Sequence, residues 1–292
     1  MQFQFPRFDV TRVPHRLKEL LRIPGLGRLL WSVDLGQAIG TMGFQTHLMA
    51  EHRDPKGRPI KRYDLGSGLV TNVGVLALAN DFAQTVTNAP HNLFRSLKYH
   101  ASGTGATAAA ATDIKLQTPS TVGGQTPVAG TQVLVSAANL QKYQSVATIS
   151  YTNAEAVTEW GFFAYDSSLP AVTNLSDATG SPFTAGGATS GTVTGTPLTA
   201  SSATVQGQIL SVFENTNGTC IDWGLVTSNT TSIVTVPAWY KTADGTVGSN
   251  PVNADTYVIR PVMWDHKVFG AINVANGDSI QFSYLLTCTA GG

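Results

Sequence analysis

From residue 94 to the C-terminus, short segments alternate apolar and polar residues and are separated by turns rich in Gly, Asn and Ser. Alternation with a period of two is typical of strands that bury one face. Between the last two segments, Asn276-Gly277-Asp278 favours a hairpin turn, because Asn and Gly accept positive φ. The pattern predicts a mainly β protein, an antiparallel β-sandwich of jelly-roll or immunoglobulin-like type. Strands are predicted at 94–100, 132–137, 145–152, 156–165, 202–213, 230–237, 256–261, 267–274 and 279–287.

Helical spacing is confined to the first third of the chain. Residues 10–31 predict a short amphipathic helix followed by a Pro-Gly break and a further turn, and residues 72–82 predict a second helix. The first helix packs on its own domain or forms an arm that docks on a neighbouring subunit. A membrane-surface role is disfavoured because the apolar face is small. A possible helix also carries His47 and His52, and 51–64 is expected to be a charged loop with a turn at Asp54-Pro55-Lys56-Gly57.

The chain carries little charge, and that charge is unevenly distributed. Charged residues make up 12% of the sequence, about half of the usual share. Residues 1–62 hold eleven basic and five acidic residues, a net charge of +6, whereas residues 100–292 hold five basic and eleven acidic residues, a net charge of −6. Such asymmetry favours docking on an acidic protein surface. Nucleic acid is not the expected partner, since basic and aromatic residues do not interleave. The predicted docking residues are Arg12, Arg16, Lys18, Arg22, Arg28, Arg58, Lys61 and Arg62.

A stretch rich in Gly, Ser, Thr and Ala spans residues 166–203 and is either a long exposed loop or a domain connector. The sequence therefore predicts three parts. They are a basic N-terminal arm with helices at 1–64, a β-sandwich body at 65–165 plus 260–292, and an inserted β-rich module at 166–259. Both cysteines, Cys220 and Cys288, are expected to be free thiols, as in a reducing cytoplasm.

The histidines form no recognisable catalytic or metal-binding motif. His47 and His52 are five residues apart, whereas two ligands on one helix face need a spacing of four. Asp265-His266 could serve a distant serine, but the sequence contains no Gly-x-Ser-x-Gly nucleophile turn. The favoured interpretation is a polar corner, where a strand turns into the terminal hairpin and His266 is held by hydrogen bonds. No catalytic residue, metal site or cofactor is predicted.

Two further patterns, a pair of glutamates and a group of aromatic residues, bear on a ligand or substrate site. Glu155 and Glu159 are four strand residues apart, about 13 Å, which is too far for the carboxylate pair of a glycosidase. Aromatic residues in alternating strands are typical of a core. Only Trp239-Tyr240, beside Pro237, suggests an exposed pair that could contact a ligand such as a sugar.

Four blocks of the sequence, at 65–74, 98–113, 150–163 and 263–284, resemble a group of virion proteins of tailed bacteriophages. Those proteins share a KYHGIGTG-like turn, a VTEWGLF-like strand and a terminal FDHKVFSAINVANGDSIQFTY-like hairpin. In shorter relatives the last two blocks lie close together, whereas here about 95 residues intervene, which implies an insertion at a loop tip.

The resemblance implies a non-enzymatic structural protein of the virion, assembled in the cytoplasm of the host bacterium. The expected role is a capsid decoration (cement) protein, a minor capsid protein that contacts the major capsid protein and copies of itself. The alternative is a neck or tail component, a collar or fibre, that contacts other neck or tail proteins and binds a receptor or glycan. No membrane partner is implied.

Overall fold

The computed structural model describes residues 43–83, 97–124, 126–137, 140–164, 182–198, 200 and 205–289. The predicted N-terminal helix at 10–31 lies outside the described residues, and so do Arg12, Arg16, Lys18, Arg22 and Arg28. The chain divides into two compact units. In the smaller unit only the ends of four strands are described, at 43–45, 134–137, 140–143 and 286–289. The larger unit comprises residues 46–133 and 144–285.

The prediction of a mainly β protein with antiparallel sheets is confirmed. One helix is present among the described residues, α1 (Asn72–Ala83), where the sequence predicts it. Thr71 caps it by accepting a hydrogen bond from the Gly74 N–H at 3.1 Å. No described helix has the length and apolar character needed to span a bilayer. The strands are β1 (Gly43–Arg53), β2 (Pro59–Gly66), β3 (Leu69–Val70), β4 (Leu97–Gly103), β5 (Val128–Ala129), β6 (Thr131–Ala137), β7 (Leu140–Ser150), β8 (Glu155–Ala164), β9 (Phe183–Gly187), β10 (Ser190–Val193), β11 (Ile209–Phe213), β12 (Cys220–Leu225), β13 (Ser228–Asn229), β14 (Ile233–Thr235), β15 (Tyr240–Lys241), β16 (Thr256–Arg260), β17 (Val262–Val274) and β18 (Ser279–Thr289).

Two five-stranded sheets pack face to face. The first has the order β2-β1-β18-β7-β6 and the second the order β3-β17-β8-β4-β5. Large aromatic side chains fill the space between them, because alternate residues of β8 and β18 point to this interior. Phe162 of β8 lies 4.3 Å from Tyr284 of β18 between ring centroids and 5.8 Å from Trp160, on which it stacks. All three rings are buried.

The connection between β17 and β18 differs from the predicted hairpin. Gly277 does adopt positive φ, at 85°, but β17 and β18 belong to different sheets. The turn therefore carries the chain from one sheet to the other. Asp278 fixes it by accepting the Ala275 N–H at 2.9 Å and by pairing with His52 at 2.8 Å. A local Asn-Gly signal favours a tight turn whether the strands it joins pair with each other or face each other.

The stretch expected to be a helix followed by a charged loop is a β-hairpin. Strands β1 and β2 pair from Leu48 to Arg53, and Asp54 closes the turn by accepting the backbone N–H groups of Lys56 and Arg58. The turn is where the sequence predicts it, whereas the helix is wrong. Alternate residues of β1 are buried, which fits a strand with one face on the core.

Strands β9 to β16 pair only with one another among the described residues. They form two four-stranded sheets, with the orders β13-β14-β10-β9 and β15-β12-β11-β16. A separate apolar core includes Phe183, Leu210, Trp239 and Tyr257. The boundaries of the predicted module, 166–259, stay a prediction.

Candidate functional site

Three ionisable side chains from distant parts of the sequence form a continuous hydrogen-bonded chain, two of them buried and Asp113 partly exposed. His266 of β17 lies between Asp113 and Glu159 of β8, with Nδ1 2.7 Å from Asp113 Oδ2 and Nε2 3.1 Å from Glu159 Oε2. The side chains of His266 and Glu159 have no exposed surface. Because both ring nitrogens face carboxylate oxygens, the ring donates twice and is an imidazolium. This arrangement is called the Asp113–His266–Glu159 node below.

The node perturbs the ionisation of its members. Burial alone would lower the pKa of His266, but the hydrogen bonds and charges of Asp113 and Glu159 raise it to about 9. Burial likewise would raise the pKa of Glu159. The hydrogen bonds that Glu159 accepts from His266 and from backbone N–H groups outweigh burial, so its pKa is below its ordinary value. Near neutral pH the node therefore holds one cation and a buried anion.

Glu159 also fastens both ends of the segment 104–118 to the sheet. It accepts hydrogen bonds from the backbone N–H groups of Gly105, Gln117 and Thr118 at 3.0, 2.9 and 2.7 Å. A Cβ added at Gly105 would lie 2.7 Å from the Glu159 carboxylate, so the close approach requires glycine there. Within the segment, Asp113 accepts a hydrogen bond from the backbone N–H of Ala110 at 2.7 Å. The node thus holds a surface segment that has no regular secondary structure.

Immediately before His266, a second buried carboxylate faces the sandwich interior. Asp265 lies opposite Phe162, and neither of its oxygens makes a hydrogen bond of regular geometry with the described residues. Burial raises its pKa to about 6, against the opposing influence of the nearby Thr46 and Tyr284 hydroxyl groups. A Cβ added at Gly68 would lie 1.9 Å from Asp265 Oδ1. Asp265 is therefore confined as well as buried.

A buried serine–histidine pair also occurs, but its geometry does not suit nucleophilic catalysis. His100 Nε2 lies 2.9 Å from Ser145 Oγ, and the Trp160 indole N–H donates to His100 Nδ1 at 3.2 Å. Since Nδ1 accepts, the ring proton is on Nε2 and points at the serine oxygen. Burial lowers the pKa of His100 to about 3, so the ring is neutral. A ring that donates to the serine cannot also take its proton.

Beside the node, a cleft of about 480 Å³ is lined by Ser67, Leu69, Ala106, Lys267 and Phe269. The Lys267 ammonium donates to the Ser67 carbonyl at 2.6 Å. His266 also borders the cleft, but both of its nitrogens are engaged. Within the described residues, no group of three or more His, Cys, Asp or Glu side chains could hold a metal ion. The two ionisable side chains that line the cleft in the described part of the chain, His266 and Lys267, both make hydrogen bonds to the chain itself.

Of the predicted docking residues, those that the structure describes lie on the β1–β2 hairpin. Arg58, Lys61 and Arg62 are all exposed. Arg58 and Arg62 pair with acidic residues of the same hairpin, Asp54 and Glu51, and Lys61 lies 4.8 Å from the centroid of the Tyr63 ring. The hairpin therefore has less free positive charge than its sequence indicates.

The expectation of an exposed Trp239-Tyr240 pair is wrong for Trp239. Its side chain is 1% exposed, lies in the apolar core of strands β9 to β16 and donates its indole N–H to the Gly187 carbonyl at 2.9 Å. Tyr240 is half-buried and stacks on Trp223 at 4.8 Å. Cys220 is half-buried, with its sulfur 3.6 Å from the Thr242 hydroxyl oxygen, and the expectation that Cys220 and Cys288 are free thiols stays a prediction.

The sequence predicts that hydrogen bonds hold His266, but it does not indicate which residues make them. The expected polar corner is instead the middle of β17. Asp113 and Glu159 lie 153 and 107 residues from His266 along the chain, so local spacing carries no signal for the pairing. Comparison with models of protein families, with curated proteins and with solved structures finds no match.

Proposed function

We propose that this chain is a non-enzymatic structural protein of a tailed-bacteriophage particle, and that it acts as a head decoration (cement) protein bridging major capsid subunits. The observation that carries the proposal is where the resembling blocks meet. Asp113, Glu159 and His266 come from three of them, and Gly68 of the fourth packs on Asp265. The four blocks therefore meet in one part of the fold, which supports their interpretation as a single structural unit.

The ionisable groups of the interior support a structural role. His52, His100 and His266 each lie against a fixed partner: His52 against Asp278, His100 against Ser145, and His266 against Asp113 and Glu159. A catalytic acid or base has to reach a substrate, whereas these groups face the chain itself. A chain in which only 12% of the residues are charged is suited to many modest contacts summed over a symmetric shell.

Copy number tests the proposal directly. Quantitative densitometry of purified particles should give a ratio to the major capsid protein near one to one, or one to a few. A ratio near one to a hundred would move the chain to the neck or tail and bring forward a receptor-binding or glycan-binding role. Absence of the chain from purified particles would refute a virion function altogether.

The docking role of the basic arm is tested separately. Deleting residues 1–31 should abolish incorporation into particles, because the deletion removes five of the predicted docking residues. A variant in which only those five are replaced by glutamine is the matched control for charge. Normal incorporation of the truncated chain would contradict the docking role.

A further inference from the structure

Strand β2 forms one edge of the first five-stranded sheet, and among the described residues it pairs only with β1. Its first four residues, Pro59–Arg62, are all exposed. Ile60 keeps 56% of its surface accessible. The outer side of an edge strand presents backbone N–H and C=O groups to any strand that can align with it.

We propose that β2 pairs with β2 of a second copy of this chain, antiparallel about a twofold axis through Tyr63, so that two five-stranded sheets join into one. The surface of self-association is the outer edge of β2. It depends on the geometry of β2 alone and not on the virion role.

The charges along β2 favour this register over the others that pair five or more residues of each strand, whose axes pass through Lys61, Arg62 or Asp64. A twofold axis perpendicular to a sheet always places one residue opposite its own copy. An axis through Lys61, Arg62 or Asp64 would put two like charges face to face, which destabilises a strand pair. An axis through Tyr63 pairs two tyrosines and places each Arg62 opposite an Asp64, while Lys61 faces Leu65.

The side chains needed for this register are accessible. The side chains of Arg62 and Asp64 are 82% and 71% exposed. Arg62 contacts Glu51 of its own chain, but a guanidinium has five N–H donors and can contact carboxylates on both sides. Asp64 contacts His47 and the Gly66 N–H through one oxygen, Oδ1, and its other oxygen can accept a further hydrogen bond.

Proline and lysine on an edge strand usually discourage pairing, and β2 contains both. Pro59 is at the start of the strand, and in this register it lies opposite residue 67, beyond the end of the partner's β2. Its missing N–H therefore costs no hydrogen bond between the strands. Eight residues from each copy bury far less than the roughly 1,600 Å² of a standard interface. The dimer is weak in solution, and arraying many copies on one surface would strengthen it.

Cysteine cross-linking tests the register. Only a residue on the twofold axis meets its own copy, so mild oxidation should convert Tyr63→Cys into a covalent dimer. In Lys61→Cys the new thiol lies opposite Leu65, about 14 Å along the strand from its own copy, and should not cross-link above background. The unsubstituted chain, treated alike, measures the background from Cys220 and Cys288. Cross-linking of Tyr63→Cys no stronger than background, or stronger cross-linking of Lys61→Cys, would overturn the proposal.

A charge exchange tests the pairing without new thiols. By sedimentation velocity over a concentration series, Arg62→Asp should raise the dimer dissociation constant about tenfold or more, because both symmetric pairs become repulsive. Adding Asp64→Arg to the same chain should restore the original value. Lys56→Asp, in the turn, changes charge equally and should have no effect, and thermal unfolding of each variant confirms that the monomer folds. Failure of the exchanged double variant to recover would contradict the Tyr63-centred register.

Discussion

Replacing Asp265 with asparagine tests whether the buried carboxylate of β17 destabilises the folded chain when it ionises. The side chain has no exposed surface and no hydrogen bond of regular geometry among the described residues. Asparagine has nearly the same size and cannot ionise. A comparison of the two proteins across pH therefore isolates the free energy of burying the charge.

The magnitude follows from the pKa of Asp265, which burial raises from 3.8 to about 6. Because the folded-state pKa is the higher one, the folded chain retains a proton between these values that the unfolded chain has lost. The free energy of unfolding therefore falls as pH rises through this window, and the full cost is present above pH 6. The cost amounts to about 1 kcal/mol at pH 4.5 and about 3 kcal/mol at pH 7.5.

Urea unfolding of the wild-type chain and of Asp265→Asn at pH 4.5 and pH 7.5 measures the effect. The difference in unfolding free energy should move in favour of the variant by about 2 kcal/mol between the two pH values. This change is independent of any constant cost of burying the amide. Asp244→Asn is the control that should show almost no change between the two pH values, since a hydrogen bond from Thr246 lowers the pKa of that exposed carboxyl below 3.8 and both states are then almost fully ionised at pH 4.5 and above. A difference for Asp265→Asn that is the same at both pH values would refute the reasoning.

Three further substitutions test other parts of the structure. Glu159→Gln removes a buried charge partner of His266 and should lower the free energy of unfolding by about 3 kcal/mol. This loss of unfolding free energy should become smaller above pH 9. The stabilisation from the raised His266 pKa is complete below pH 6.5 and disappears as pH rises through about 9. A loss that is constant from pH 6 to pH 10 would argue against the imidazolium. Gly68→Ala should lower the midpoint temperature of unfolding, because the added Cβ would lie 1.9 Å from the Asp265 carboxylate oxygen. Gly270→Ala is the control and should leave the midpoint unchanged, since no atom lies within 4 Å of its added Cβ. Equal effects of the two substitutions would contradict the close packing at Gly68. Trp239→Ala should cost about 3–5 kcal/mol by urea unfolding, and a cost below about 1 kcal/mol would show the side chain to be less tightly packed than described.

Apolar spacing along the sequence is enough to predict a strand or helix whose buried side chains are apolar. Strand β18 and helix α1 occur where apolar spacing predicts them: β18 buries the alternate residues Ile280, Phe282 and Tyr284, and α1 buries Val73 and Ala77. Strand β1 was missed because its buried face includes His52. A histidine is acceptable there only through its partner Asp278, 226 residues later.

The site depended still more on distant contacts. Nothing near His266 in the sequence indicates that it will meet Asp113 and Glu159, because the sheet order brings β8 beside β17 across nearly a hundred residues. Trp239 lies two residues after Pro237 and resembles a loop residue locally. It is buried because its indole N–H reaches the carbonyl of Gly187, 52 residues earlier. In each case the deciding partner is remote in sequence.

The pairing of Ala164 with Val262 has a consequence for the order of folding. Bringing β8 and β17 together closes a loop on the order of 100 residues, at an entropic cost of about 4 kcal/mol apart from a constant. Strands β9 to β16 find their partners within that loop, so we expect them to form before this closure and to shorten the free chain that it must restrain. Because doubling a loop adds only about 0.6 kcal/mol, the segment between the two residues could lengthen or be exchanged in evolution with little effect on the stability of the strands that hold its ends.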